Sequence, residues 1–245
     1  MDQYKPEMSF EEDIADGYDE ASVRGDEKAT VAFFEQLAQG GRALELAIGT
    51  GRIALPLAEK GVQVDGIDFS PAMLAKLRAK PGAEKLTVVL GNFADVAIPH
   101  RYDLIYIVFN TFFNLLTQDE QVRCFENAAA HLNEKGVFVI EGGIPTEFCR
   151  LRNNQYVDLE NLEIDKVRLD IARYDPVRQL LEETHVTISA AGTQLSPIVT
   201  RYAWPSELDL MARIAGLCLK ERWANWRKEP VIASSRNCIS VYGRQ

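Results

Sequence analysis

The chain has 245 residues, 47% of them apolar, a formal net charge of -9 and a pI near 5.0. That is apolar mass for one elaborated domain, and the acidic balance argues against a standing affinity for nucleic acid or an anionic membrane. Cys124, Cys149, Cys218 and Cys238 are scattered, and the only histidines are His100, His131 and His185, so neither a disulfide framework nor a zinc site is expected.

The opening Met1–Asp13 is polar and acidic, unlike a signal peptide, and no stretch reaches transmembrane length; the cytoplasm is the expected location. Residues 1–28 read as an acidic N-terminal arm. Ala29, Val31, Phe33, Phe34, Leu37 and Ala38 predict an amphipathic helix over 29–38, closed by Gly40-Gly41. The stretch Ala43–Ser70 then organises the chain. An apolar run (Ala43, Leu44, Leu46, Ala47) enters Gly49-Thr50-Gly51-Arg52, followed by a helix over Ile53–Lys60 and a strand over Val62–Ile67 that ends in Asp68. Gly49 and Gly51 permit a tight turn and close approach of a ligand, at a helix N-terminus where free N–H groups collect. Asp68 is placed to accept hydrogen bonds from ribose hydroxyls. A dinucleotide fingerprint would need glycine at 54, where alanine stands. Glu45, in the strand before the turn, suits a ligand with a cationic group better than a diphosphate.

Glu45-Leu46-Ala47-Ile48-Gly49-Thr50-Gly51-Arg52, followed by Gly66-Ile67-Asp68-Phe69-Ser70-Pro71-Ala72-Met73-Leu74, resembles the first two motifs of class I S-adenosylmethionine-dependent methyltransferases, in their small-molecule, natural-product branch. The resemblance implies an α/β fold: a Rossmann-like seven-stranded sheet with the last strand antiparallel, helices on both faces, and an inserted antiparallel β meander. It implies S-adenosyl-L-methionine as cofactor and S-adenosyl-L-homocysteine as product. Glu45, Ala47, Gly49, Gly51, Asp68, Phe69 and Met73 are its implied cofactor contacts, with Tyr18, in Gly17-Tyr18-Asp19, folding over from the arm.

Ser70-Pro71 reads as an N-cap with proline at the first helical position, opening a helix over Ala72–Lys80. Leu86–Leu90 is a third strand. After it, the resemblance implies that Asn92 meets the adenine amino group and the backbone of Phe93 a ring nitrogen, with Phe69 flanking the base. Tyr102–Val108 is nearly all apolar, as a strand buried on both faces should be. It runs into Phe109-Asn110-Thr111-Phe112-Phe113-Asn114, outside the C-terminal end of a strand, where open parallel sheets bind ligands. The resemblance implies that Phe109 and Asn110 line the methionine end and Asn114 the acceptor pocket. Thr117 and Glu120 form a capping box before a helix carrying Val122, Phe125, Ala128, Ala129 and Leu132, and Val137–Glu141 is a fifth strand.

From about Tyr156 to Trp204 the helical period is lost. Lys166–Tyr174, Gln179–Ile188 and Ile198–Tyr202 alternate partly, with turns at Asp175-Pro176 and Ala191-Gly192-Thr193. Fifty residues are too many for a structureless loop, so an antiparallel meander is expected; the resemblance implies that it closes over the acceptor and offers a homodimer contact. Ser206 is expected to cap a helix, and Leu217–Trp223 and Asn237–Tyr242 to form the closing strands. The whole reads as one domain: arm 1–28, cofactor-binding core 29–150, inserted meander 151–204, and C-terminal helix and strands 205–245.

Methyl transfer is an in-line displacement in which the protein chiefly positions the partners and removes water. No metal is required. A general base helps with an alcohol or a protonated amine, and His185, which shares a strand face with Glu183, is the candidate. Tyr156, Arg178, Tyr202, Trp204 and, from the basic loop 224–236, Trp226 are candidate acceptor contacts. The expected function is methylation of a nitrogen or oxygen of a small molecule. The alternatives are a cofactor-binding regulatory protein without catalysis and an NAD-linked reductase.

Overall fold

The computed structural model describes residue 4 and residues 18–19, 25–95, 98–146 and 151–245. Most of the expected arm over 1–28, and the junction near 150, lie outside the described residues. Five helices are described: α1 (Glu27–Ala38), α2 (Ala54–Glu59), α3 (Pro71–Arg78), α4 (Gln118–His131) and α5 (Pro205–Ile214). The strands are β1 (Arg42–Leu46), β2 (Gln63–Asp68), β3 (Thr87–Leu90), β4 (Tyr102–Ile107), β5 (Leu132–Gly143), β6 (Gln155–Leu162), β7 (Lys166–Asp175), β8 (Leu180–Ser189), β9 (Gly192–Arg201), β10 (Leu217–Trp223) and β11 (Asn237–Arg244).

Seven strands form one sheet in the order β10-β11-β5-β4-β1-β2-β3. β1 to β5 pair in parallel, while β11 runs antiparallel to both β5 and β10. Alternate side chains of the central strands enter two cores. Leu44, Leu46, Ile105, Ile107, Phe138 and Ile140 pack under α4 and α5. Ala43, Leu104, Tyr106, Val108 and Val139 pack under α1, α2 and α3. Burial on both faces is why these strands read as continuous apolar runs.

Local chemistry sets the helix starts. Ser70 accepts a hydrogen bond from the Met73 N–H at 3.2 Å with Pro71 at the first position, and Thr117 and Glu120 cap α4 reciprocally. α2 starts so near the glycine turn that Pro56 falls in its first turn, where no N–H is needed. Gly51 has φ +79°, and a Cβ there would meet Leu77 Cδ1 at 2.3 Å, so the turn needs glycine for both conformation and space.

The second sheet, β6-β7-β8-β9, is antiparallel throughout. The sequence reading missed β6, whose side chains are almost all exposed and therefore lack an apolar alternation. It also misplaced the start of α5: Trp204 is the N-cap, Pro205 the first helical residue, and Ser206 lies inside the helix. A polar knot holds the meander to the core. Buried Arg201 donates to Gln121 Oε1 at 2.6 Å, Gln179 Oε1 at 2.9 Å and Glu207 Oε1 at 2.7 Å, tying β9 and the β7–β8 turn to α4 and α5.

Candidate active site

The site lies at the C-terminal ends of β1 and β4, where the loops after adjacent parallel strands diverge. Both loops begin with a non-glycine residue in the left-handed region, Ala47 at φ 58° and Phe109 at φ 59°. Such conformations cost energy and persist where the surroundings hold them. Here Ile48 N–H donates to Ile67 O at 2.9 Å, and Phe109 N–H donates to Glu141 Oε2 at 2.8 Å. Asn110 Oδ1 accepts from Gly143 N–H at 2.6 Å. The C-terminal end of β5 thus fixes the loop after β4.

Ala47, Phe109, Glu45, Gly49, Thr50 and Arg52 line a narrow cleft between these loops. Glu45 is buried and accepts from the Tyr106 hydroxyl at 3.0 Å. Burial pushes its carboxyl up to about 8, against the pull of Tyr106 and the positive charge of Arg52. Tyr106 in turn is held well above its ordinary value by burial and by Glu45. The Arg52 guanidinium sits 3.8 Å from the Phe109 ring centroid. At the end of β2, Asp68 accepts from Gly49 N–H at 2.7 Å and Ser70 N–H at 2.8 Å. Burial raises its pKa while these N–H groups oppose the rise. Each carboxylate oxygen keeps a lone pair beyond those bonds.

Thr50 and Asp19 form a clamp that the sequence did not reveal. Thr50 Oγ1 donates to Asp19 Oδ1 at 2.5 Å, Lys80 Nζ lies 2.6 Å from Asp19 Oδ2, and Lys80 also donates to Thr50 O at 2.9 Å. Burial works against ionisation of Asp19, but the hydrogen bonds from Lys80 and Thr50 outweigh it and lower its pKa. The neighbouring Tyr18 is thereby held at the cleft.

Tyr18, Phe109 and Thr111 also line a second, larger cavity of about 430 Å³. Cleft and cavity therefore share a wall. The far side of the cavity is the inner face of the meander, with Tyr156 from β6, Leu181, Glu183 and His185 from β8, and Ile198 and Thr200 from β9. Strand register puts Tyr156, Ala172, Glu183 and Ile198 in one row across the sheet. Ala172 is small enough for the Tyr156 hydroxyl to reach over it, 2.9 Å from Glu183 Oε1 and 2.8 Å from Asp170 Oδ2. Glu183 is pushed up to about 7 by burial and then by Asp170. His185 Nδ1 lies 3.1 Å from Glu160 Oε1, and Glu160, Asp170 and His185 bring their ligand-type atoms within 4.8 Å of one another.

The predicted residues divide accordingly. Tyr18, Glu45, Ala47, Gly49 and Phe109 gather at the cleft, and Tyr18, Phe109, Asn110, Asn114, Tyr156, His185 and Tyr202 line the cavity. Asp68 and Gly51 frame the turn, with Phe69 half-buried beside Asp68. Others stand elsewhere. Trp226 is a correction: it is buried on the α1 face of the sheet, edge-on to Phe33 at 5.4 Å and Phe34 at 5.1 Å. Apolar α1 needed a cover there, and the surrounding basic sequence hid it. Met73 is 2% exposed within α3, and Phe93 belongs to the core under α4 and α5. Neither side chain lines the cleft or the cavity. Asn92 Oδ1, expected at the adenine amino group, accepts from Ala94 N–H at 2.9 Å within its own turn. Arg178 is exposed in the β7–β8 turn and Trp204 caps α5; neither lines the cavity. Arg52, Thr50, Asp170 and Glu183 are the residues the sequence reading passed over. Shared strand parity with His185 was the one available signal for Glu183.

The fold and the cleft define an α/β methyltransferase. Residues 43–136 match the model of a methyltransferase domain. The structure of the CcbJ methyltransferase from Streptomyces caelestis is 39% identical, superposes with a TM-score of 0.92, and the match covers 98% of this chain and 99% of that one. The cypemycin N-terminal methyltransferase of a Streptomyces species is 28% identical over 208 residues, 84% of each chain. The fold is also that of S-adenosylmethionine-bound CalS10 from Micromonospora echinaspora, an amino pentose methyltransferase, at 22% identity, a TM-score of 0.67 and 94% and 95% of the two chains. The chain belongs to the S-adenosylmethionine-dependent methyltransferases. The residues present fit that cofactor: two buried carboxyls, Glu45 and Asp68, would offer acceptor capacity to an ammonium and to a pair of ribose hydroxyls.

Proposed function

We propose that this enzyme methylates a nitrogen or oxygen of a small molecule held in the cavity between the β4 loop and the meander. The observation that carries the reading is the wall shared by cleft and cavity at Tyr18, Phe109 and Thr111. Compartments that share these lining residues set donor and acceptor side by side, as in-line displacement requires. S-adenosylmethionine, when bound, supplies an activated methyl group on a sulfonium. Glu45 then pairs with its ammonium, Asp68 accepts from its ribose, and Tyr18, held by the Asp19–Thr50–Lys80 clamp, excludes water. Asn110, Asn114 and Tyr202 orient the acceptor, and His185 and Glu183 are the groups able to take its proton.

A cavity of about 430 Å³ suits a small molecule, and a net charge of -9 disfavours nucleic acid. No helix among the described residues is long and apolar enough to cross a membrane, in keeping with a cytoplasmic enzyme. The outer face of the meander, where Val157, Leu159 and Leu195 are 67%, 51% and 63% exposed, is the surface for a second copy of the chain. Leu159→Glu with Leu195→Glu should give a smaller particle in light scattering with unchanged cofactor affinity.

The functional test is calorimetry with S-adenosylmethionine and, in parallel, NAD, followed by mass spectrometry of an acceptor panel of amines, alcohols and phenols. Micromolar S-adenosylmethionine affinity and methylated product support the reading. Cofactor binding without turnover of any acceptor supports a regulatory protein, and preference for NAD a reductase.

A further inference from the structure

We propose that the acceptor is a basic amine, and that Glu183, backed by Asp170 and Tyr156, is the catalytic residue that anchors its ammonium and takes up its proton. This deepens the functional reading above and rests on it. The geometry has three parts. Glu183 faces the cavity from the middle of the meander, in the same row as Tyr156 and Ile198. Its carboxyl lies in hydrogen-bond reach of Asp170, while the single Tyr156 hydroxyl proton is shared between them at 2.8 and 2.9 Å. Asp170 Oδ1 is buried without a hydrogen-bond partner among the described residues. Two crowded carboxyls, one donor and one orphaned oxygen form a set that is one proton short. A proton on Glu183 fills the gap in the free enzyme, and a cationic ligand fills it once that proton has gone.

The surrounding charges agree. Glu160 adds a further carboxylate, placed between His185 at 3.1 Å and Arg168 at 2.5 Å, so Arg168 is spent on Glu160. Arg236, from the loop before β11, and Tyr18 also line the cavity, and neither is among the partners of Glu183 and Asp170. An alcohol gains nothing from such a cluster, whereas an ammonium pairs with it. Chemistry then follows in two balanced steps. The ammonium gives a proton to the Glu183 carboxylate, leaving a neutral amine. Its lone pair forms the N–C bond as the methyl–sulfur bond breaks and the electron pair of that bond goes to sulfur. A carboxyl raised to about 7 narrows the gap to an amine near 8–10, so the first step costs less than with an ordinary carboxylate.

The test uses the full chain saturated with S-adenosylhomocysteine and labelled with ¹³C at the Glu and Asp carboxyls. Glu183 is assigned by the resonance missing in Glu183→Gln. n-Butylamine and piperidine are compared with 1-butanol and tetrahydropyran by NMR and calorimetry. One glutamate should titrate near 7, and Asp170→Asn should move it down. The amines should shift that resonance and bind about tenfold or more tightly than the ethers and alcohols. Glu183→Gln should abolish the preference, whereas His185→Gln should keep it. The proposal is overturned if alcohols bind as well as amines, if Glu183→Gln binds amines like the wild type, or if neither class moves the Glu183 signal. Should Glu183→Gln fail to fold, Asp170→Asn decides: if no glutamate resonance that titrates near 7 in the wild type moves down in it, the proposal is overturned. S-adenosylhomocysteine affinity, read in the same calorimeter, reports separately on the cofactor site.

Discussion

The two sheets are built by opposite rules. In the seven-stranded sheet, buried polar side chains are few, and Glu45 and Asp68 stand towards the C-terminal ends of β1 and β2 over a largely apolar interior. In the four-stranded sheet the inner face itself is polar, with Tyr156, Asp170, Glu183 and His185 side by side, and the outer face carries exposed Val157, Leu159 and Leu195. The first sheet is held by burial, at roughly 25 cal/mol per Å² of apolar area. The second has little core of its own and depends on its seam with the first. The cleft thereby lies on a rigid edge, and the larger cavity is walled by a surface free to vary without disturbing the core.

Cutting the seam should have the largest effect. Arg201→Ala leaves Gln121, Gln179 and Glu207 facing one another in a buried site, and should cost about 3 kcal/mol in urea denaturation. Next is a change confined to the first sheet. Asp68→Ala removes the acceptor for Gly49 and Ser70, and should lower S-adenosylmethionine affinity about 100-fold by calorimetry. A weaker response there would mean that the turn keeps its shape without Asp68.

A pH experiment sharpens the contrast further. Because the fold holds Glu45 near 8 against an ordinary 4.5, the folded chain keeps a proton that the unfolded chain has released. Stability must therefore fall as pH rises from 4.5 towards 8, and level off above it. Glu45→Gln removes that slope. Below 4.5 it should match the wild type, and from 4.5 towards 8 it should become progressively the more stable of the two, while losing cofactor affinity. The smallest effect belongs to the cap of α4. Thr117→Ala breaks one half of the capping box, and should cost about 1 kcal/mol in thermal denaturation with both ligand compartments unchanged.

The cofactor edge was legible in the sequence because its contacts are local. Strand, turn, helix and strand fall within Ala43–Ser70, and the positions of Glu45, Gly49, Gly51 and Asp68 follow from periodicity and turn chemistry. β7 and β8 were found nearly to the residue, since each alternates partly between clear turns, and β10 was found to the residue through its resemblance to the closing hairpin of the family. β6 was not, because its exposed side chains impose no pattern. Trp226 misled for a related reason: its neighbours in sequence are basic, but its neighbours in space are Phe33 and Phe34.

By itself the sequence determined the class of fold and, through the resemblance of its first two motifs, the cofactor, because short-range patterns carry that resemblance. Tertiary structure alone decided what lines the larger cavity. Tyr156, Asp170 and Glu183 come from three strands, and only the pairing register β6-β7-β8 places one hydroxyl between two carboxyls. A slip of one of these strands by a single residue would turn its side chain to the opposite face and break the set.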